Sequence, residues 1–119
     1  MPSRRSERVS GLLLETIAET LLYEVKDPRV HAVTVTGVRI TPDLKTAKIF
    51  FVTRKADDIS DALAGLRKAT GFIRRQVAKR SQLRYTPDLE FHYDDTLENV
   101  NRLESLLRQA MAKERESFD

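Results

Sequence analysis

Between Ala62 and Pro87 the chain has no acidic residue, yet it carries seven cations there: Arg67, Lys68, Arg74, Arg75, Lys79, Arg80 and Arg84. Guanidinium and ammonium groups with no carboxylates to neutralise them suit the capture of phosphate groups by charge and hydrogen bonding. At about 100° per residue, Arg74, Arg75 and Lys79 share one arc of a helix while Ile73 and Val77 point elsewhere, so these cations can meet a phosphate backbone together. Arg67 and Lys68 lie upstream, and the path of the helix decides whether they join. Arg4, Arg5 and Arg8 near the start, and Lys45 and Lys48 further on, can extend the patch. A helix charged only for solubility usually mixes both signs, which weighs against a merely solvated face. Phe50 and Phe72 have rings that could stack on a base, but both are assigned to the core.

Catalysis needs convergent groups, and none stand out. The only histidines, His31 and His92, fall on separate elements without the spacing of a metal site. They are read as surface or hydrogen-bonded residues. Gly11, Gly37, Gly65 and Gly71 form no phosphate-cradling loop, and Ser10-Gly11 and Thr70-Gly71 lack a neighbouring general base. Asp94 and Asp95 with Glu98 could hold a cation, yet before a helix they are more simply capping acids. With no cysteine in the chain, disulfides and thiolate chemistry are excluded. The reading is a binding protein without cofactor or metal, not an enzyme.

At 119 residues, 40% hydrophobic and 33% charged, the chain has the size and composition of a single globular domain spanning residues 1–119. No apolar run approaches the roughly 18 to 20 residues of a membrane span. The opening MPSRRSERVS lacks the apolar stretch of a signal peptide, so a cytoplasmic protein is expected. The net charge is only +3, but it is unevenly placed: from Asp94 onward seven acids outnumber four bases.

The elements that must position the cations can be read from periodicity. From Arg5 to about Val25, Val9, Leu13, Ile17 and Leu21 recur every four residues, with Leu12, Leu14, Ala18, Leu22 and Val25 widening the stripe, and this predicts an amphipathic helix. Ser3 or Ser6 can cap its start, and Lys26-Asp27-Pro28 stops it. Residues 32–40 alternate in polarity and are rich in β-branched side chains, which predicts a strand. Its parity slips, since Val33 and Val35 are odd while Val38 and Ile40 are even, so a bulge or kink is expected at Gly37. After the turn Thr41-Pro42-Asp43-Leu44, a second strand over Thr46–Thr53 puts Ala47, Ile49 and Phe51 on one face and Lys48, Phe50 and Val52 on the other, and completes an antiparallel hairpin. Asp57, Asp58 and Ser60 open a helix with Ile59, Ala62, Leu63 and Leu66 inward. That pattern continues through Gly71 to Phe72, Ile73, Val77 and Leu83, and the glycine predicts a kink between two helices. Pro87–Tyr93 reads as a third strand with Leu89, Phe91 and Tyr93 on one face. A last helix from Thr96 to about Arg115 spaces Leu97, Val100, Leu103, Leu106, Leu107 and Ala110, leaving a core of about residues 4–94.

The order helix, strand, strand, helix, kink, helix, strand, followed by a C-terminal helix, is an α+β arrangement of the type II KH kind, an RNA-binding fold. The Gly-x-x-Gly loop of ordinary KH domains is absent, and Ala69-Thr70-Gly71 stands in its place. In this respect the chain resembles the ribosome-binding factor A family, and further stretches resemble it in order. They are Lys26-Asp27-Pro28-Arg29, Val35-Thr36-Gly37-Val38, Asp43-Leu44 with Ala47-Lys48, Gly71-Phe72-Ile73-Arg74, Leu83-Arg84 with Pro87, Leu89 and Phe91, and Asp94 or Asp95. The resemblance covers about residues 4 to 107. It implies a non-catalytic bacterial factor that binds the free 30S subunit, assists late maturation of 16S rRNA near its 5′ end and serves cold adaptation. It implies too that the protein holds RNA helices in an immature arrangement and then leaves, displaced by an assembly GTPase. A monomer is expected. The family's Ala-x-Gly kink carries over to Ala69 and Gly71; the cations are inferred from charge and spacing alone. The residues leave two other readings open, a generic KH-like nucleic-acid binder, and either an interaction module whose charges only solubilise it or a small enzyme whose active groups do not stand out.

Overall fold

The computed structural model describes residues 4–117, apart from the side chains of 98, 99 and 114–117. Helix α1 spans Arg4–Tyr23, strands β1 and β2 span Thr34–Ile40 and Thr46–Val52, helix α2 spans Ile59–Ser81, strand β3 spans Asp88–Tyr93 and helix α3 spans Thr96–Ser117. The sheet order is β1-β2-β3, with β1 antiparallel and β3 parallel to β2. A parallel neighbour cannot follow a tight turn, so α2 is the crossover that carries the chain from the end of β2 back to the start of β3.

Both α1 and α2 cover the same face of the sheet, because the alternation of each strand sends its apolar residues one way. Ile40, Ala47, Ile49, Phe51, Leu89 and Phe91 are buried there against Val9, Leu13, Ile17, Leu21, Leu66, Ile73 and Val77. The parity slip in β1 is resolved by a bulge. Val35 pairs with Phe51 but Gly37 with Phe50, so Thr36 is the extra residue and Val35, Val38 and Ile40 all turn toward the helices. The Thr36 hydroxyl then donates to Asp94 Oδ2 at 2.6 Å, tying the bulge to the end of β3.

The inward stripe of α1 is narrower on its apolar side than expected. Leu12 and Ala18 are exposed and Leu22 is 68% exposed, whereas Ser6, Thr16 and Thr20 are buried. The reason is that α1 packs on both β1 and α2, which rotates its buried arc toward residues 16 and 20. Thr20 tolerates burial because its hydroxyl donates to the Thr16 carbonyl at 2.7 Å. Ser6 lies inside the first turn and Ser3 outside the described residues.

After α1 the chain makes a short 3₁₀ turn, Pro28–Val30, which the sequence reading did not anticipate. Asp27 caps it by accepting from the Arg29 N–H at 3.0 Å, and the Arg29 guanidinium closes on the same carboxylate at 2.7 Å. Those Arg29 hydrogen bonds hold the Asp27 carboxyl at a pKa of about 2, below its ordinary 3.8. A carboxyl depressed on folding adds stability above its unfolded pKa and loses it as pH falls through the folded value. Asp27→Asn keeps an acceptor for the Arg29 N–H but removes the charge. It is expected to melt below the parent at pH 7, with the gap closing as pH drops from about 4 toward 2, read by thermal denaturation across that range.

Helix α2 runs through Ala69 and Gly71 without interruption, so the two helices expected on either side of a kink are one. Gly71 does not have a positive φ, and a Cβ there would meet nothing nearer than the Arg75 guanidinium at 3.5 Å. The glycine that α2 needs for space is Gly65, where a Cβ would lie 3.0 Å from Val30 Cγ1 and 3.1 Å from Arg29 Cβ. Its bare backbone lets the 3₁₀ turn seat Val30 in the core. Helix α2 ends where Gln82 adopts a left-handed conformation at φ 51°, which turns residues 83–87 back toward β3.

Helix α3 forms as its spacing predicts, but it does not bury its stripe. Leu97, Val100, Leu103, Leu106 and Leu107 are between 45 and 69% exposed. At its start Asp94 accepts from the Thr96 N–H at 3.0 Å, the capping role expected of it. The Thr36 hydroxyl and then Thr96 hold the Asp94 carboxyl below its usual pKa. The side chain of Glu98 lies outside the described residues.

Candidate nucleic-acid interface

Because α2 is continuous, the register of its cations is settled from end to end. At about 100° per residue, Arg67, Lys68, Gly71, Arg74, Arg75, Ala78 and Lys79 occupy one arc of about 140°, and all are exposed. Arg67 and Lys68 therefore join the downstream cations. Among the described residues, Arg67, Lys68, Arg75, Lys79 and Arg84 are in no ion pair. Their charge is available to a partner.

Arg80 is different. It points to the other side of α2, toward α1, where its guanidinium pairs with Glu24 and lies 3.7 Å from Glu19. It is removed from the candidate patch by a neutralising contact 56 residues away in sequence. Arg74 has a structural task as well. It donates to the carbonyls of Thr86 at 2.8 Å and Pro87 at 3.2 Å and stands 3.6 Å from Asp88, pinning the segment before β3 onto α2.

That pinned segment is what assembles the rest of the site. Arg84 and Tyr85 line a cavity of about 460 Å³ together with Gly71, Arg74, Arg75 and Ala78 of α2. On their other side they line a second cavity of about 200 Å³ with Arg5 of α1 and Lys45 of the hairpin turn. The segment thus joins the α2 face to cations from two other elements, Arg5 and Lys45. Arg4 and Arg8 are exposed on the first turns of α1 but line neither cavity. Lys48 is not brought in: it points from the opposite face of the sheet, paired in register with Arg39 and Glu90. Phe72 packs on the core as expected. Phe50 does not. The alternation of β2 puts it on the helix-free face, half-buried beside His92 with the Arg39 guanidinium 6.0 Å from its ring centre.

The histidines are occupied in the way expected of them. His31 Nε2 meets the Val25 carbonyl at 3.0 Å and His92 Nε2 lies 3.3 Å from Glu90. Among the described residues no group of three or more His, Asp or Glu is placed to hold a metal ion, and no helix is long and apolar enough to cross a membrane.

A family model described as ribosome-binding factor A matches residues 5–107. The chain belongs to the ribosome-binding factor A family. Its similarity to a ribosome-binding factor A of Aromatoleum aromaticum is 42% identity over 108 residues, covering 90% of this chain and 85% of the relative. The crystal structure of ribosome-binding factor A from Thermus thermophilus superposes with a TM-score of 0.67 at 25% identity, covering 74% of this chain and 94% of that one. A Thermus thermophilus ribosome-binding factor A model fitted into a cryo-EM map of a 30S complex gives a TM-score of 0.61 at 26% identity, over 71% and 90% of the two chains. The α+β, KH-like fold read from the sequence of this family member is thereby shown.

The sequence reading of this ribosome-binding factor A family member missed Tyr85, which is 72% exposed between the two cavities. A signal was available, since a tyrosine beside an arginine in an acid-free stretch has no apolar periodicity to explain it. The local chain could not show that Arg74 would hold it over α2.

Proposed function

We propose that this protein is a non-catalytic, cytoplasmic assembly factor that binds the free 30S subunit through its RNA as a single-domain monomer. The observation that supports this most is the α2 face, whose cations Arg67, Lys68, Arg75 and Lys79 are in no ion pair among the described residues and continue through Arg84 to Arg5 and Lys45. A row of that length matches the spacing of phosphates along an RNA strand better than it matches a small anion. The 30S complex of the Thermus thermophilus relative supports the small subunit as the particle. Late maturation of 16S rRNA near its 5′ end, cold adaptation and displacement by an assembly GTPase form the rest of this reading, and they rest on the family resemblance.

Co-sedimentation with free small subunits, large subunits and whole ribosomes at low and moderate salt tests it. Selective pelleting with free small subunits is expected; equal pelleting with every particle, lost as salt rises, would reduce the protein to a nonspecific cation. Since Arg80 is spent on Glu24 and Glu19, Arg80→Ala is expected to change subunit affinity by no more than about twofold. It should lower the melting temperature slightly, because Glu24 is half-buried and loses its guanidinium. A large loss of subunit binding on that substitution would return Arg80 to the interface.

A further inference from the structure

We infer that the cavity between α2 and the segment before β3 is a pocket for a single unstacked RNA nucleotide, with Tyr85 as its stacking platform. The inference rests on the RNA-binding reading above and adds what kind of RNA the site takes. Its floor is made by Gly71 and Ala78, seven residues apart and so on the same side of α2. These are small residues, and they leave a recess where a longer side chain would leave none; a Cβ at position 71 would meet only the Arg75 guanidinium. The recess holds about 460 Å³, within the roughly 300 to 1,000 Å³ of ligand-binding clefts.

Its rim has the two chemistries a nucleotide needs. Arg75 and Arg84 stand on its walls in no ion pair among the described residues, ready for a phosphate. Tyr85 has most of its ring in solvent, so a face is accessible for a base to stack on. The ring's position is not casual, since Arg74 fixes the adjoining Thr86 and Pro87 carbonyls to α2. A duplex presents its phosphates on a convex surface with its bases stacked inside, and it has no use for a recess edged by an aromatic ring. Sequence-tolerant stacking on an aromatic side chain with adjacent arginines is how proteins hold unpaired bases.

The test compares two labelled RNA probes with the full chain, a single-stranded heptamer carrying one 2-aminopurine and a fully paired hairpin, by anisotropy and by 2-aminopurine fluorescence. The parent is expected to bind the heptamer and quench its fluorophore. Tyr85→Ala is expected to weaken heptamer binding by about tenfold or more and to abolish the quench, leaving hairpin binding unchanged. Tyr85→Phe, which keeps the ring, is expected to retain both. Loss of affinity for both probes alike on Tyr85→Ala, or heptamer binding and quench left as in the parent, would overturn the pocket. A parent that binds the hairpin but not the heptamer would also overturn it while leaving the RNA-binding reading in place. A parent that binds neither probe would remove both.

Discussion

Reversing Arg75, Lys79 and Arg84 together to glutamate is expected to lower affinity for free small subunits by roughly 100-fold or more while leaving the fold intact. Each cation that neutralises a phosphate releases about 0.7 to 0.9 of a counterion, so removing three such contacts at about 0.1 M salt removes roughly two to three decades of binding. The slope of log affinity against log salt should shrink correspondingly, by about 2 to 3. All of these side chains are exposed and unpaired among the described residues, so each substitution should stay within about 0.5 kcal/mol in stability. Arg74 does not belong in the set. Although it lies in the same arc, Arg74→Glu would set a carboxylate against the Thr86 and Pro87 carbonyls and near Asp88, and lost binding could then reflect a displaced segment. Co-sedimentation beside a thermal melt reads both quantities, and a triple variant that pellets like the parent would show the interface to lie elsewhere.

The second large effect separates two glycines on one helix. Gly65→Val is expected to cost about 1 to 3 kcal/mol, the usual range for forcing volume into a packed site. Its first added carbon already lies 3.0 Å from Val30 Cγ1 and 3.1 Å from Arg29 Cβ. Val30 is 1% exposed and cannot swing outward. Gly71→Ala is expected to do the opposite and gain about 0.5 to 1 kcal/mol, because it removes the entropic cost of a helical glycine and meets only the flexible end of Arg75 at ordinary contact distance. Urea or thermal unfolding of the two variants measures the difference. If Gly71→Ala destabilised the protein, the backbone at 69–71 would be special, as a kink at Ala69 and Gly71 requires.

Much of the fold was legible because it is written in short-range periodicity. The four-residue recurrence of Val9, Leu13, Ile17 and Leu21 and the alternation of Ala47, Ile49 and Phe51 report faces directly, since helix and strand geometry turn spacing into direction. Even the bulge was visible, because Val35 and Val38 cannot share a face without an extra residue between them. The exposed stripe of α3 was not, since spacing shows that an apolar face exists and not whether anything covers it. The backbone at Leu44, with a φ of 60°, and at Gln82 gave no sign either, because neither residue type favours the left-handed region.

For the candidate site, the residues by themselves determined that seven cations and no acids lie between Ala62 and Pro87, the feature from which a polyanionic partner is proposed. Only the tertiary structure decided which of those charges remain available. Arg75 and Arg80 look alike in the chain, yet α1 brings Glu24 and Glu19 to Arg80 and leaves Arg75 in solvent. Arg5 and Lys45 are distant in sequence from Arg84, yet the turn at Gln82 and the anchor of Arg74 gather them around Tyr85. The physical reason is common to all of these: a side chain's type and direction follow from local backbone geometry, whereas its neutralisation, burial and neighbours are set by contacts that exist only once the chain has folded.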